Sequence, residues 1–89
     1  ILVATPGRLL DLVGQNAVKL DQVSIFVLDE ADVMIDTQGH RDQSIRIHKK
    51  LSNTCQMMLF SATYDKDVMN FAENIVSNPV VSIFSVKYP

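Results

Sequence analysis

Cysteine is almost missing from this chain of 89 residues. Cys55 stands alone, so no internal disulfide can form, which fits a reducing compartment. Excess positive charge is missing too: eight Lys and Arg against ten Asp and Glu leave a formal net charge of −2. The chain as a whole therefore exerts no general pull on nucleic acid, and any such contact must be local. No apolar stretch approaches the length of a membrane span, and no membrane partner is expected. No cationic segment precedes the first apolar residues, so no signal peptide is expected. Glycine is scarce. The three are Gly7, Gly14 and Gly39, and none is followed by Lys. That excludes from these residues the G-x-x-x-x-G-K-S/T loop that cradles nucleotide phosphates.

What is present suffices for one small folded domain. Apolar residues make up 47% and charged residues 20%, which argues against disorder. The chain opens at Ile1 inside an apolar run and closes at Pro89 just after another, so it is expected to be a piece of a longer protein. Ile1 to Ala4 reads as the end of a buried strand. Thr5-Pro6-Gly7 is turn chemistry, with Thr5 as a helix cap, and Arg8 to Val13 reads as a short helix stopped by Gly14. Leu20 and Val23 suggest a linking helical turn. Ser24 to Leu28 reads as a buried strand, followed by a helical turn at Val33 to Ile35. A helix is expected over Arg41 to Leu51, with Ile45, Ile47 and Leu51 inward and Arg46, Lys49 and Lys50 outward. Gln56 to Phe60 reads as a third strand. Asp65 caps a helix whose Val68, Phe71, Ala72, Ile75 and Val76 recur at helical spacing. Asn78-Pro79 ends that helix, and Val80 to Val86 reads as a fourth strand. Strands that are continuously apolar and alternate with helices predict an α/β fold: a parallel sheet of about four strands with helices on both faces.

In open parallel sheets, ligands bind beyond the carboxyl ends of strands. Three polar motifs fall at such ends: Thr5-Pro6-Gly7-Arg8, Asp29-Glu30-Ala31-Asp32 and Ser61-Ala62-Thr63. The second is the most informative. Acids that directly follow a hydrophobic strand are expensive unless they meet partners or do chemistry. Asp29, first out of the core, suits Mg²⁺, usually through water. Glu30 suits orienting or deprotonating a water that attacks a γ-phosphate. Asp32 is placed to meet hydroxyls of an adjacent strand, which Ser61 and Thr63 supply. The bland alternative is that the acids cap the next helix and face solvent. Three motifs in order at successive strand ends weigh against it.

Thr5-Pro6-Gly7-Arg8 suits a phosphate: a hydroxyl, a glycine that admits close approach, free helix N–H groups and a cation. The backbone of single-stranded RNA is a fitting ligand, because phosphate contacts need no base readout. Taken alone, the motif reads better as an ordinary capped strand–helix turn. Arg41, Arg46, Lys49 and Lys50 read as a solvated helix face. His40 and His48 read as surface or turn residues, Cys55 as a small buried apolar side chain, and Met34, Met57, Met58 and Met69 as core filler. The magnesium carboxylate thus stands without the lysine loop that grips a nucleotide. These residues are not expected to include a second domain that could supply an arginine finger. The chain is not expected to be a complete ATPase.

These motifs resemble those of the DEAD-box RNA helicases, over essentially the whole chain. Thr5-Pro6-Gly7-Arg8 is similar to the family's RNA-contacting motif Ib, Asp29-Glu30-Ala31-Asp32 to motif II, and Ser61-Ala62-Thr63 to motif III. The resemblance implies the C-terminal half of the first RecA-like domain, with residues 1–89 forming an incomplete domain. The segment Ala31 to His40, with Asp42 to Ile47 and Cys55-Gln56-Met57, is similar to the subgroup acting in mRNA export at the nuclear pore. Arg8 departs from that subgroup, which often has another residue there. By resemblance, Asp29 contacts Mg²⁺ and Glu30 is the general base for ATP hydrolysis. Asp32, Ser61 and Thr63 couple nucleotide state to domain closure, and Thr5, Pro6, Gly7 and Arg8 touch the RNA backbone. Implied partners are RNA, the second RecA-like domain and nuclear-pore export factors. Implied locations are the cytoplasm, the nucleus and the nuclear envelope at the pore.

Two other readings differ in class: a non-catalytic truncated product that binds RNA or a helicase partner, and a related ATPase acting on DNA. The resemblance also implies that the strand before the missing phosphate loop lies between the Ser61 strand and Val80–Val86. Without it a full strand is lost, a spacing of roughly 4.8 Å on each side, and bare edges are exposed. Residues 1–89 alone should then be marginally stable, with Val80–Val86 poorly paired. Hydrogen exchange tests this; a cooperative melt with full amide protection of Val80–Val86 would contradict it.

Overall fold

The computed structural model describes residues 1–76. Their elements are α1 (Pro6–Gly14), β1 (Ile25–Leu28), α2 (Ala31–Asp36), α3 (His40–Lys49), β2 (Gln56–Leu59) and α4 (Lys66–Ile75). β1 and β2 pair in parallel, with Ile25 opposite Gln56 and Leu28 opposite Leu59. A parallel pair needs a long crossover, and α2 and α3 supply it. The pairing extends past the strands at both ends. Gln56 N–H donates to the Ser24 carbonyl at 2.8 Å, and Phe60 N–H donates to the Leu28 carbonyl at 2.8 Å.

Alternation along the strands decides what the sheet buries. Leu28, with Phe26 and Leu59 packed alongside it, joins a core formed with Ala31, Met34 and Ile35 of α2 and Val68, Phe71 and Ile75 of α4. The apolar spacing expected of α4 therefore faces the sheet as read. Asp65 caps this helix: its Oδ1 accepts the Val68 N–H at 3.0 Å. α3 follows Gly39, which sits at φ +85°, where a side chain would be strained. Within α3, Ile47 is buried and Arg46 and Lys49 are exposed, as is Lys50 just past its end, as the sequence predicts.

Several expectations need correction. Ile1 to Ala4 is not a strand, and Ile1 and Val3 are almost fully exposed. Its backbone finds no ladder partner among the described residues, and an unpaired strand has nothing to hold it extended. The described residues thus hold two strands of the four expected; Asn78-Pro79 and Val80–Val86 lie outside them. The helical cover is seen on the face bearing Phe26 and Leu28. On the other face Ile25, Val27, Met58 and Phe60 remain exposed. α1 begins at Pro6 rather than Arg8, since proline's fixed φ and missing N–H suit the first helical turn. α3 ends at Lys49, short of Leu51. Leu20 and Val23 form a non-helical turn, in which the Val23 N–H meets the Leu20 carbonyl at 3.3 Å. Met58 is exposed rather than core filler.

In the full-length protein, Phe71→Ala should cost about 3–5 kcal/mol, because it empties the centre of this core. Asp65→Ala should cost about 1 kcal/mol through the lost cap. Denaturant melting of the domain checks both. A Phe71→Ala loss no larger than that of the cap variant would contradict this packing.

Candidate functional site

β1 delivers Asp29 and Glu30 into solvent, and both are exposed. The chain must turn sharply there to begin α2. It does so at Glu30, which adopts a left-handed backbone at φ 51°, ψ 48°. A non-glycine residue in that region is strained by on the order of 1–2 kcal/mol. Two contacts hold the turn. The Glu30 N–H donates to Asp29 Oδ1 at 2.8 Å, and the Ala31 N–H donates to the Phe60 carbonyl at 3.0 Å. Ala31 is fully buried, so its smallness lets α2 seat directly on the end of β2.

The next residue joins the two strand ends. The Asp32 N–H donates to Ser61 Oγ at 3.1 Å, and Thr63 Oγ1 donates to Asp32 Oδ2 at 3.2 Å. Asp32 Oδ1 also accepts the Val33 N–H at 3.0 Å. Desolvation pushes the Asp32 carboxyl up. The hydrogen bonds from Val33, Thr63, Ser61 and its own backbone outweigh that, so it titrates below its ordinary 3.8. Asp32 is therefore a clasp between β1 and β2. The contact expected between Asp32 and the two hydroxyls is present, because parallel pairing brings the ends of the two strands level.

Asp29 is a lone carboxylate for a metal. Among the described residues no three His, Cys, Asp or Glu side chains gather in metal-binding geometry. Such a site still fits Mg²⁺, which usually takes one or two carboxylates and completes its shell with phosphate oxygens and water. Asp29 is exposed and its Oδ1 is engaged by Glu30 N–H, which leaves Oδ2 to face a ligand. A cleft of about 160 Å³ lies beside the clasp, lined by Asp32, Asp36, Asp65, Asp67, Thr63 and Val68 among others. Four carboxylates would repel phosphate, so this cleft is not the nucleotide pocket.

The turn Thr5 to Arg8 makes no hydrogen bond to residues 29–32. It opens α1, which packs on α3. Thr5 takes the N-cap position, but its hydroxyl caps nothing and is free for a ligand. Arg8 is exposed and pairs with Asp11 at 3.1 Å, an i,i+3 contact of the solvent-exposed kind that contributes little. The expected convergence of three strand ends is therefore a convergence of two, with the third motif at a helix start.

Two residues of α3 escaped the sequence reading. Ser44 is completely buried and its hydroxyl lies 3.5 Å from Met34 Sδ. Gln43 lies against Gly7, and its Oε1 is buried without a partner. Neither carries a local signal, since both depend on which helix lies opposite. Cys55 is buried, and desolvation raises its thiol, which makes it an unreactive apolar filler.

A parallel α/β sheet with a carboxylate run at one strand end, clasped by hydroxyls from the next, is of the α/β class whose ligands bind at the carboxyl ends of strands. Comparison with known proteins narrows it. The model of the DEAD/DEAH box helicase family matches residues 1–71, and the chain belongs to that family. It is 57% identical over 82 residues to the DEAD-box helicase Dbp80 of Drosophila melanogaster, covering 91% of this chain and 18% of that protein. It is 50% identical over 82 residues to human ATP-dependent RNA helicase DDX19A, covering 91% of this chain and 17% of that protein. S. cerevisiae Dbp5 bound to RNA and ADP BeF3 superposes with a TM-score of 0.82 at 43% identity, covering 93% of this chain and 21% of that one. The chain thus spans under a fifth of the length of these curated relatives, and its fold is RecA-like.

The Thr63 hydroxyl helps hold the Asp32 carboxyl low, so Thr63→Val should move it up toward 3.8. The folded value lies below the unfolded one. The clasp's stability is therefore present above pH 3.8 and is lost as pH falls through the folded value. Carbon-detected NMR titration of the Asp32 carboxyl in the intact protein checks this. An unchanged midpoint in Thr63→Val would contradict the clasp.

Proposed function

We propose that residues 1–89 are part of an ATP-dependent RNA helicase that couples ATP binding and hydrolysis to remodelling of RNA duplexes or RNA–protein complexes in mRNA export. They form the C-terminal half of its first RecA-like domain and turn over no ATP by themselves. The observation that carries this is the clasp of Asp32 to Ser61 and Thr63, which ties the two strand ends together. A site built this way can pass a change at Asp29 and Glu30 to the neighbouring strand.

In this reading, Asp29 would hold Mg²⁺, which when bound would supply neutralisation of phosphate charge. Glu30 takes the proton of the attacking water. The strained turn at Glu30 fixes its backbone, and the buried Ala31 fixes the turn against β2. Asp32, Ser61 and Thr63 sense the nucleotide and report it toward the second RecA-like domain. Thr5, Pro6, Gly7 and Arg8 meet the RNA backbone at the start of α1, where helix N–H groups and one cation favour phosphate.

The partners follow the relatives. S. cerevisiae Dbp5 variants were solved with a Gle1 variant and IP6, and with Nup159, a Gle1 variant, IP6 and ADP. We extend to this protein RNA and nuclear-pore export factors as partners. We likewise extend a location in the cytoplasm and nucleus, and at the pore. The similarity of Ala31 to His40 to the export subgroup supports this.

The test is made in the full-length protein. Glu30→Gln should bind ATP as the parent does and lose turnover by at least about 10²-fold, the lower range for a removed general base. RNA should stimulate the parent and DNA should not. Parental turnover in Glu30→Gln would remove Glu30 as the base, and equal stimulation by DNA would overturn the RNA assignment.

A further inference from the structure

Gly7 does not need to be glycine for its backbone. It lies inside α1 and has no left-handed φ, so an alanine would be conformationally welcome there. Space is tight. A Cβ at position 7 would lie 3.1 Å from Gln43 Nε2, 3.4 Å from Oε1 and 3.5 Å from Cδ. Gly14, in the same helix, would meet nothing within 4 Å. The amide of Gln43 therefore packs so closely that it must give by a few tenths of an ångström to admit a side chain on Gly7.

The amide does so at a cost to itself, since its Oε1 is buried without a hydrogen bond. An apolar side chain would fill the gap without that penalty. The next residue, Ser44, is buried on the side of α3 that meets α2, where its hydroxyl contacts Met34. Adjacent residues of α3 thus grip two different parts of the molecule. Gln43 meets the turn Thr5 to Arg8, and Ser44 meets the helix that begins at Ala31 and Asp32.

We infer that Gln43 is a positioning residue for RNA binding: its amide, wedged on Gly7, sets the pose of Thr5 to Arg8 relative to the carboxylate site. Gly7 is then required for the fit to Gln43 rather than for close approach of RNA to its Cα. This rests on the reading of Thr5 to Arg8 as the RNA contact.

The full-length protein tests it through ATPase activity titrated with a single-stranded oligoribonucleotide. Gly7→Ala should raise the RNA concentration for half-maximal stimulation about tenfold, within the range for touching residues. Gln43→Ala should raise it by a smaller factor, with turnover at saturating RNA unchanged. The pair should be non-additive, with Gly7→Ala in the Gln43→Ala background no worse than Gln43→Ala alone. Gly14→Ala, which meets open space, should behave as the parent. If Gly7→Ala fails to fold, restoration of its folding by Gln43→Ala supports the wedge, and failure to restore it overturns it. A Gly7→Ala defect that persists undiminished in the double variant also overturns it, because glycine is then required by the ligand. Arg8→Ala separates the two layers. An unchanged RNA requirement in Arg8→Ala removes the reading of the turn as an RNA site, and the positioning role falls with it. A raised one, with no relief in the double variant, removes the positioning role alone.

Discussion

Two hydrogen bonds on the main chain of Phe60 carry the geometry of this molecule. Its N–H donates to the Leu28 carbonyl at the end of β1, and its carbonyl accepts from Ala31 at the start of α2. Phe60 thereby reads across the turn that holds Asp29 and Glu30. Backbone bonds in a parallel ladder tolerate little slippage when one face is buried, because a one-residue shift would expose Leu28 and Leu59. The core thus locks the register, and the register places Ser61 and Thr63 opposite Asp32.

The site is built from a conflict between burial and charge. The apolar strand must end where the acids begin, and the main chain must reverse into a helix within two residues. Glu30 absorbs the reversal in a left-handed conformation that costs energy. The fully buried Ala31 and the Asp32 clasp hold that conformation in place. Strain maintained in this way is characteristic of positions where side-chain placement matters to chemistry. Asp29 and Glu30, by contrast, meet few protein groups, which leaves them available to a ligand.

α3 connects the two halves of this arrangement. It has few buried residues, yet consecutive positions touch α1 and α2. Its exposed basic side chains pair with no carboxylate among the described residues. Through α3, the turn Thr5 to Arg8 is linked by packing to the helix that follows the carboxylates.

Much of this was legible in the residues because it is local. The apolar run ending in Asp29, the Asp65 cap and the helical spacing of Val68, Phe71, Ala72 and Ile75 each lie within a few residues, where period and cap chemistry act directly. The strand expected at Ile1 to Ala4 was misread for the same reason: its composition suits a strand, but a strand exists only where another pairs with it. The sequence by itself determined which side chains stand at the strand ends and that they bear carboxylates and hydroxyls in family order. Only the tertiary structure decided that Asp32 meets Ser61 and Thr63, 29 and 31 residues away, and that Gly7 meets Gln43. Contacts of that kind are set by the register of a parallel pair and by the packing of one helix on another, and neither leaves a spacing pattern in the chain.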